Sequence, residues 1–291
     1  MNGVINVFKN KGMSSFDVVR MVRKISKEKK VGHTGTLDPE ATGVLPVCLG
    51  KATKIIDYIM KAEKSYFVTF KLGMKTTTYD LEGEIIEEKD ASKIDSKDIL
   101  DAINSFKGEY LQVPPMYSAL KKDGVRLYDL ARQGIEVERE GRMIYIYDIK
   151  DINISKPYIS MEVTCSKGTY IRSLCYDIGE KLGVGATMTE LRRTKTSIFS
   201  EEESININDL SAENIQNSII TMEEALRMYP QININSGYTK LFINGVKVAD
   251  KRSLNLKPRI GELYRVYDET GIFIGLGKQD NFGFKIEKLL I

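Results

Sequence analysis

A segment rich in glycine and proline near the N-terminus limits most strongly how this chain can fold. Within residues 31–43, residues that disfavour regular structure recur at Gly32, Gly35, Pro39 and Gly43. Proline lacks a backbone donor, and glycine adopts backbone conformations that other residues avoid. We therefore predict a loop, in which the glycines also allow the backbone to approach a ligand closely.

The segments on either side of this loop have regular patterns. Ser14 followed by Asp17 resembles a capping box, which marks a helix start. Apolar residues then recur at helical spacing: Val18, Met21, Val22 and Ile25. Residues 44–49 are a short apolar run, so we predict a helix before the loop and a buried strand after it.

The remaining patterns indicate an α+β fold. Apolar and polar residues alternate over residues 66–72, which predicts a strand. Further strands are predicted at residues 3–9, 144–154, 159–165 and 187–199, and helices at residues 96–106, 126–132 and 169–182. Residues 108–124 contain Pro114, Pro115 and Gly124, and we predict a long loop there.

The chain changes character near residue 229. Three short strand patterns follow, at residues 262–267, 272–277 and 282–290, and turns containing glycine separate them. We predict two domains, a catalytic domain of residues 1–228 and a small β-rich domain of residues 229–291. No apolar run is long enough to span a membrane, and the N-terminus lacks a signal-peptide pattern, so we expect a cytoplasmic protein.

The supply of histidine and cysteine restricts the chemistry. His33 is the only histidine, and the three cysteines, Cys48, Cys165 and Cys175, have no metal-binding spacing. We therefore expect no metal site and no disulfide framework. Catalysis must use carboxylates, Lys, Arg, Tyr or this one histidine.

Charge is distributed unevenly, although the net charge is only +3. Six basic residues near the first helix face a single acid, Glu28; they are Arg20, Arg23, Lys24, Lys27, Lys29 and Lys30. A local positive surface of this kind attracts phosphates. A solvated helix face explains the same pattern equally well.

Asp38 and His33 each have a simple structural explanation. Asp38 precedes Pro39, and an Asp-Pro pair is a favourable helix start. A single histidine is more often packed or exposed to solvent than functional.

The loop nevertheless resembles a known family signature. Residues 32–45 match the pattern G-H-x-G-x-L-D-P-x-A-x-G-x-L of the bacterial tRNA pseudouridine-55 synthases, and the likeness continues to residue 54. Other segments agree in the family's order, at residues 64–66, 80–83, 112–121, 124–134, 165–172 and 191–194. Asn10 replaces the family's proline, which we expect to loosen a turn, Ser14 replaces its threonine, and Thr77 replaces an acidic residue.

The resemblance implies roles for individual residues. Asp38 matches the family's essential carboxylate, and Arg172 matches the arginine that pairs with it in the first turn of a helix. Tyr66 matches a tyrosine that stacks on the target base and assists proton transfer. His33 matches the histidine that fills the space the base leaves, and two further residues match the uracil pocket, namely Tyr170 and Leu191.

Four basic residues are candidates for phosphate contacts: Lys121, Arg132, Arg192 and Arg193. The resemblance also implies a catalytic domain built on a mixed, mainly antiparallel sheet with flanking helices, followed by a C-terminal domain similar to the PUA RNA-binding domains. It further implies a monomer that binds the T-arm of tRNA and isomerises one uridine without a cofactor.

Two other functions remain open from the residues. One is a non-catalytic tRNA-binding protein that assists RNA folding. The other is a carboxylate-dependent glycosidase, which usually needs two carboxylates flanking one bond. Only Asp38 lies in a specific motif, which favours the synthase.

Overall fold

The computed structural model describes residues 1–291. The strands, in chain order, are β1 Gly3–Lys9, β2 Val31–His33, β3 Thr42–Leu49, β4 Lys64–Leu72, β5 Met74–Thr76, β6 Ile85–Glu88, β7 Gly108–Gln112, β8 Lys121–Lys122, β9 Val125–Arg126, β10 Arg142–Ser155, β11 Tyr158–Cys165, β12 Ala186–Thr196, β13 Phe199–Ser200, β14 Ile205–Asn206, β15 Ile219–Ile220, β16 Gln231–Asn233, β17 Leu263–Tyr267, β18 Phe273–Asp280 and β19 Gly283–Leu289.

Seven α-helices and three 3₁₀ helices accompany these strands. The α-helices are α1 Ser15–Ser26, α2 Ile56–Met60, α3 Ser96–Asn104, α4 Leu127–Arg132, α5 Ile171–Lys181, α6 Met222–Ala225 and α7 Thr239–Ile243. The 3₁₀ helices are Gly50–Ile55, Ile215–Ser218 and Lys251–Ser253. None of the helices combines the length and the apolar character needed to cross a membrane.

An 11-stranded sheet organises the first three quarters of the chain. Its main path is β14-β1-β3-β12-β4-β11-β10-β7, while β2 pairs with β3, β13 with β12 and β15 with β1. Only the β1–β14 and β3–β12 pairs are parallel. The predicted α+β class with a mixed, mainly antiparallel central sheet is confirmed.

Strand β4 lies inside this sheet because its residues alternate as the sequence predicts. Tyr66, Val68 and Phe70 are buried on one face, whereas Phe67 and Thr69 on the other face are partly exposed. Helices α1, α3 and α5 contribute to the core on the buried face. Full burial of one such apolar side chain stabilises the fold by about 1.5–3 kcal/mol.

The predicted capping box starts α1. The Ser14 hydroxyl accepts a hydrogen bond from the Asp17 backbone N–H at 3.1 Å, and the Asp17 carboxylate accepts one from the Ser14 N–H at 2.9 Å. The helix ends at Ser26, and Lys27 adopts a left-handed conformation with φ of 55°. The chain then turns into β2.

Two loop predictions need correction. Residues 31–33 form β2, which pairs with the far end of β3. Residues 108–112 form β7, an edge strand paired with β10. Both strands gain their hydrogen bonds from partners distant in sequence, and β7 has only one neighbour, so local composition did not reveal them.

A second, four-stranded sheet of order β16-β17-β18-β19 follows the central sheet. It has its own buried cluster, which includes Ile232, Phe242 and Phe284. Leu276 and Leu290 pack instead into a cluster with residues of the central-sheet region. The expectation of a β-rich C-terminal domain is therefore confirmed, while the boundary between residues 228 and 229 stays a prediction.

Candidate active site

Asp38 lies in the loop that joins β2 to β3, and its neighbours hold the loop backbone on helix α1. The Ser15 hydroxyl accepts a hydrogen bond from the Leu37 N–H at 2.8 Å and donates one to the Leu37 carbonyl at 3.0 Å. The Asp38 carbonyl accepts from the Ala41 N–H at 3.1 Å. The start of α1 therefore fixes the position of the backbone from which the Asp38 side chain projects.

Lys9 supports the same loop from the end of β1. Its side chain is fully buried, and its ammonium donates to the carbonyls of Pro39 at 3.1 Å, Met13 at 2.7 Å and Asn10 at 3.0 Å. Burial lowers the pKa of Lys9 to about 8, and the nearby negative charge of Asp38 opposes this change. Lys9 thus places a cation beneath the loop that carries Asp38.

The turn at Asn10 is held by a side-chain contact, and its loosening by the loss of proline stays a prediction. Asn10 and Asn206 exchange two amide hydrogen bonds, of 2.9 and 3.0 Å. No local pattern indicates this partner, because Asn206 lies far along the chain.

Arg172 lies in the first turn of α5, as predicted, and it meets Asp38. Its Nη2 atom is 3.3 Å from Oδ2 of Asp38. The Nη2 group also donates to the Tyr117 carbonyl at 2.9 Å. The arginine side chain is 8% exposed and that of Asp38 is 42% exposed, so the carboxylate faces the open side of the pair.

Asp80 is a site residue that the sequence reasoning did not single out. Its Oδ2 atom is 2.8 Å from Nη1 of Arg172, and its side chain is only 10% exposed. The Thr78 hydroxyl donates to Asp80 Oδ1, which also accepts from the Glu82 N–H at 3.1 Å. A buried arginine needs a nearby negative charge, and Asp80 supplies it independently of Asp38. The family-like segment at residues 80–83 was the feature of the sequence that could have indicated a role for Asp80.

The residue that replaces the family's acid is also accommodated. The Thr77 hydroxyl accepts a hydrogen bond from the Glu84 N–H at 3.2 Å. A Cβ at Gly83 would lie 2.5 Å from the Thr78 hydroxyl and 2.7 Å from the Thr77 hydroxyl. The glycine is therefore needed for the close turn that positions Asp80.

Tyr66 lies opposite Arg193 on neighbouring strands β4 and β12. Burial raises the pKa of Tyr66, while the positive charge of Arg193 opposes that rise. Because its pKa is raised, the phenol stays protonated at neutral pH. Tyr66 is only 8% exposed.

The assignment of Arg193 as an RNA contact is wrong. Its side chain is 1% exposed, and its guanidinium donates to the carbonyls of Val44 at 2.7 Å and Gly35 at 3.1 Å. A Cβ at Gly43 would lie 2.2 Å from the Arg193 carbonyl, so the loop and β12 are in close contact. Arg193 stabilises the Asp38 loop from below, and its burial keeps the guanidinium away from a phosphate outside the protein.

Arg192 points away from Arg193, because alternate residues of a strand point to opposite faces, and its contact with RNA stays a prediction. It lies opposite Phe67, whereas Arg193 lies opposite Tyr66. Its Nη1 atom is 3.0 Å from Oε1 of Glu201. Arg192 is therefore on the face of the sheet away from Asp38.

Lys121 and Arg132 are exposed, in the hairpin of β8 and β9 and at the end of α4. The Arg132 guanidinium lies 5.4 Å from the ring centre of Tyr128. Both side chains remain candidates for phosphate contacts.

His33 is the last residue of strand β2 and leads into the Asp38 loop. Its Nδ1 atom accepts a hydrogen bond from the Gly35 N–H at 3.2 Å. Burial, and then the charge of Arg193, lowers the pKa of His33, so the imidazole is neutral at pH 7. A neutral ring can stack and accept hydrogen bonds in a pocket.

Leu191 lies on β12, as the sequence predicts, whereas Tyr170 lies just before α5 and not inside the predicted helix. Tyr170 precedes α5, and Gln112 holds its backbone by accepting from its N–H at 2.8 Å and donating to its carbonyl at 3.0 Å. Leu191 lies opposite Val68 and is partly buried against the main core.

No group of three or more His, Cys, Asp or Glu side chains is arranged to hold a metal ion. The site therefore offers a carboxylate held by a guanidinium, beside a protonated phenol.

Comparison with known proteins identifies relatives of the chain. The chain is 63% identical to tRNA pseudouridine synthase B of Clostridium perfringens (strain SM101 / Type A), over 100% of this chain and 99% of that protein. It is 59% identical to tRNA pseudouridine synthase B of Clostridium tetani, over the full length of both. A solved structure of a Cbf5-Nop10-Gar1 complex contains a chain with a TM-score of 0.79 and 28% identity, over 99% of this chain and 85% of that one.

Two family models also match. The N-terminal domain of the TruB family pseudouridylate synthases matches residues 23–171, and the C-terminal domain of tRNA pseudouridylate synthase B matches residues 172–229. The first match alone covers more than half of the chain, and it contains Asp38, Tyr66 and Asp80. The chain belongs to the TruB family of pseudouridylate synthases.

Proposed function

We propose that this pseudouridine synthase isomerises uridine 55 in the T-loop of tRNA and that Asp38 is its essential carboxylate. The observation that carries the proposal is the Asp38–Arg172 ion pair of 3.3 Å at the open side of the site. The relatives named tRNA pseudouridine synthase B support tRNA as the substrate.

The isomerisation balances without an outside reactant. The bond between N1 of uracil and C1′ of the ribose breaks, the base turns, and a bond forms between C5 and C1′. The proton that C5 loses is matched by one that N1 gains. The enzyme therefore has to bind, protect and reorient the base and move protons, and these are tasks for side chains.

Asp38 acts in its ionised form in each of the three available routes. It attacks C1′ of the sugar, adds to the uracil ring or removes a sugar proton. Binding of RNA over the site excludes water, which disfavours a charged carboxylate, and Arg172 offsets that cost. Asp80 holds the second arm of the guanidinium, so Arg172 keeps its place when Asp38 reacts.

The target base must leave the RNA loop to reach Asp38, at a cost of a few kcal/mol. Stacking of the flipped base on the Tyr66 ring recovers roughly 1–3 kcal/mol. Tyr170 and Leu191 line the uracil pocket, and His33 fills the space that the base leaves in the RNA. The Tyr66 phenol, which is protonated, is available to assist proton transfer.

The remaining assignments concern the rest of the RNA. Residues 229–291 act as a PUA-like RNA-binding domain beside the catalytic domain of residues 1–228. Lys121 and Arg132 contact phosphates. The enzyme acts in the cytoplasm as a monomer, without a metal or cofactor.

Pseudouridine mapping of an unmodified tRNA transcript tests the proposal. We expect the wild type to form pseudouridine at position 55 and Asp38→Asn to form none. Glu40→Gln is the matched control, because it removes a charge from an exposed side chain of the same loop and should retain activity. Tight tRNA binding without any pseudouridine in the wild type would favour the non-catalytic tRNA-binding function instead.

A further inference from the structure

A groove lined largely by lysines lies at the end of β2 and β3 that is remote from the Asp38 loop. Its eight lining residues include no hydrophobic one and five lysines: Lys27, Lys29, Lys30, Lys51 and Lys54. We call this set the lysine groove. It combines the segment after α1 with the 3₁₀ helix Gly50–Ile55, because the Gly50 N–H donates to the Lys30 carbonyl at 2.8 Å.

The positive charge of the lysine groove is not neutralised by the protein. All five lysine side chains are exposed, and none of them forms an ion pair. Glu28 is the only acid in the lining, and it pairs with the amino terminus of Met1. The one possible internal partner is thus already engaged.

The backbone beneath these lysines is fixed. The Lys51 N–H donates to the Asn2 side-chain carbonyl at 2.7 Å, and the Thr53 hydroxyl donates to the Gly50 carbonyl at 2.8 Å. Lys27 closes α1 in a left-handed conformation that turns the following residues toward Gly50. The lysines are therefore clustered by the fold and do not depend on a mobile tail.

The chemistry of the groove fits an extended row of phosphates. Lysine ammonium groups are point charges with several donors, and they bind phosphates without requiring one geometry. The groove is open and has no apolar wall, so it offers little to a base or to a small ligand. Contacts of this kind position a nucleic acid and carry no sequence information.

The groove is close in the chain to both regions that the proposed function assigns to RNA binding, the Asp38 loop and the C-terminal domain. Lys30 precedes His33 by three residues, which is about 10 Å along an extended strand. On the other side, α2 follows the 3₁₀ helix, and the Tyr58 carbonyl accepts from the Tyr229 hydroxyl at 3.0 Å. The groove thus lies between the catalytic loop and the start of the C-terminal domain.

We propose that the lysine groove binds the phosphate backbone of the tRNA that flanks the reacting loop. This inference rests on the proposed function, because it takes the RNA bound at Asp38 as the partner. It adds a binding surface in the catalytic domain to that of the C-terminal domain.

The test compares two double variants that remove the same charge. Lys30→Gln/Lys51→Gln removes one lysine from each element of the groove. Lys93→Gln/Lys97→Gln is the matched control, because both lysines are exposed and unpaired beside α3. The dissociation constant for unmodified tRNA is measured between 50 and 200 mM salt, and turnover is measured at saturating tRNA.

We expect the groove variant to bind tRNA roughly 10-fold more weakly at low salt. The slope of log Kd against log salt should fall by about 2, because each lost phosphate contact removes about 0.9 from it. Turnover at saturating tRNA should match that of the wild type. Lys30→Glu/Lys51→Glu should weaken binding further.

An affinity and a slope equal to those of the control variant would overturn the proposal. A loss of turnover at saturating tRNA without a change in affinity would overturn it too, because the groove would then only support the site. Thermal unfolding shows whether each variant is folded. Absence of pseudouridine in the wild type would contradict the proposed function alone, since the binding slopes still test the groove.

Discussion

At the scale of single residues, the site depends on one buried arginine that pairs with two carboxylates. Arg172 contacts Asp38 at 3.3 Å and Asp80 at 2.8 Å, and the second carboxylate is the more buried. Asp80 therefore orients the guanidinium, while Asp38 stays open to substrate. Arginine suits this arrangement because its planar fork presents two separate nitrogens, Nη2 to Asp38 and Nη1 to Asp80, where a lysine would present one.

Asp80→Asn should lower the single-turnover rate by at least about 10-fold with little change in tRNA affinity. The neutral amide leaves Arg172 without its second counter-charge. We expect the guanidinium to shift from the position in which it holds the Asp38 carboxylate. Quench-flow measurement of pseudouridine formation at saturating tRNA checks this. The control is Glu82→Gln, at the exposed neighbour whose N–H binds Asp80. An unchanged rate in Asp80→Asn would show that Asp38 alone orients Arg172.

Tyr66→Phe should keep base stacking and lose most of the turnover, by roughly 100-fold. The ring face is retained, whereas the phenol that assists proton transfer is removed. Steady-state kinetics combined with tRNA binding separates the two effects. Turnover equal to that of the wild type would remove the proton-transfer role and leave Tyr66 as a stacking surface.

At the scale of elements, the contact between α5 and β7 contains a half-buried acid, Asp177. The Tyr110 hydroxyl of β7 donates to the Asp177 carboxylate of α5. Burial, and then the charge of Glu180, raises the pKa of Asp177 from 3.8 to about 6. Helix α5 also carries Arg172, so this contact helps to set the position of that arginine.

Asp177→Asn should stabilise the protein above pH 6 and have little effect below about pH 4. A raised folded-state pKa means that stability is fully present below the unfolded value of 3.8 and is lost as the pH rises through about 6. The amide avoids that loss. We expect a gain of about 1 kcal/mol in the free energy of unfolding at pH 8, after allowance for solvent screening.

Urea unfolding between pH 4 and 8 measures this difference. Glu109→Gln, on the exposed face of β7, is the control that removes a charge without changing the contact between Tyr110 and Asp177. A gain that is the same at pH 4 and at pH 8 would show that ionisation of Asp177 is not its cause.

At the scale of the whole molecule, the C-terminal sheet is attached through apolar side chains as well as through the chain. Leu276 and Leu290 share a buried cluster with Tyr58, Ile59 and Phe199 of the catalytic domain. The Tyr229 hydroxyl adds a hydrogen bond to the Tyr58 carbonyl. The two parts are therefore held together beside the lysine groove.

Deletion of residues 230–291 should weaken tRNA binding by at least about 10-fold and leave the single-turnover rate at saturating tRNA within a few-fold of the wild type. The deletion removes a proposed RNA-binding surface and leaves the Asp38 loop intact. It also exposes Ile59 and Tyr58, so we expect a lower melting temperature. A collapse of the single-turnover rate in a folded truncated protein would mean that the C-terminal domain is needed to form the site.

Much of this protein follows from the sequence because local patterns and short motifs are sufficient for it. Alternation gave β4, a hydroxyl and a carboxylate three residues apart gave the start of α1, and the motif around Asp38 gave the family. The ion pair between Asp38 and Arg172 was also expected from the resemblance, and the structure brings the two side chains together.

Only the tertiary structure decided that Arg193 is buried and therefore cannot reach a phosphate outside the protein. Arg192 and Arg193 are neighbours in sequence, but strand alternation sends them to opposite faces, where Glu201 and two backbone carbonyls engage them. Asp80 likewise became a site residue through a partner 92 positions away. Burial and long-range pairing depend on the packing of distant segments, which no local window of sequence contains.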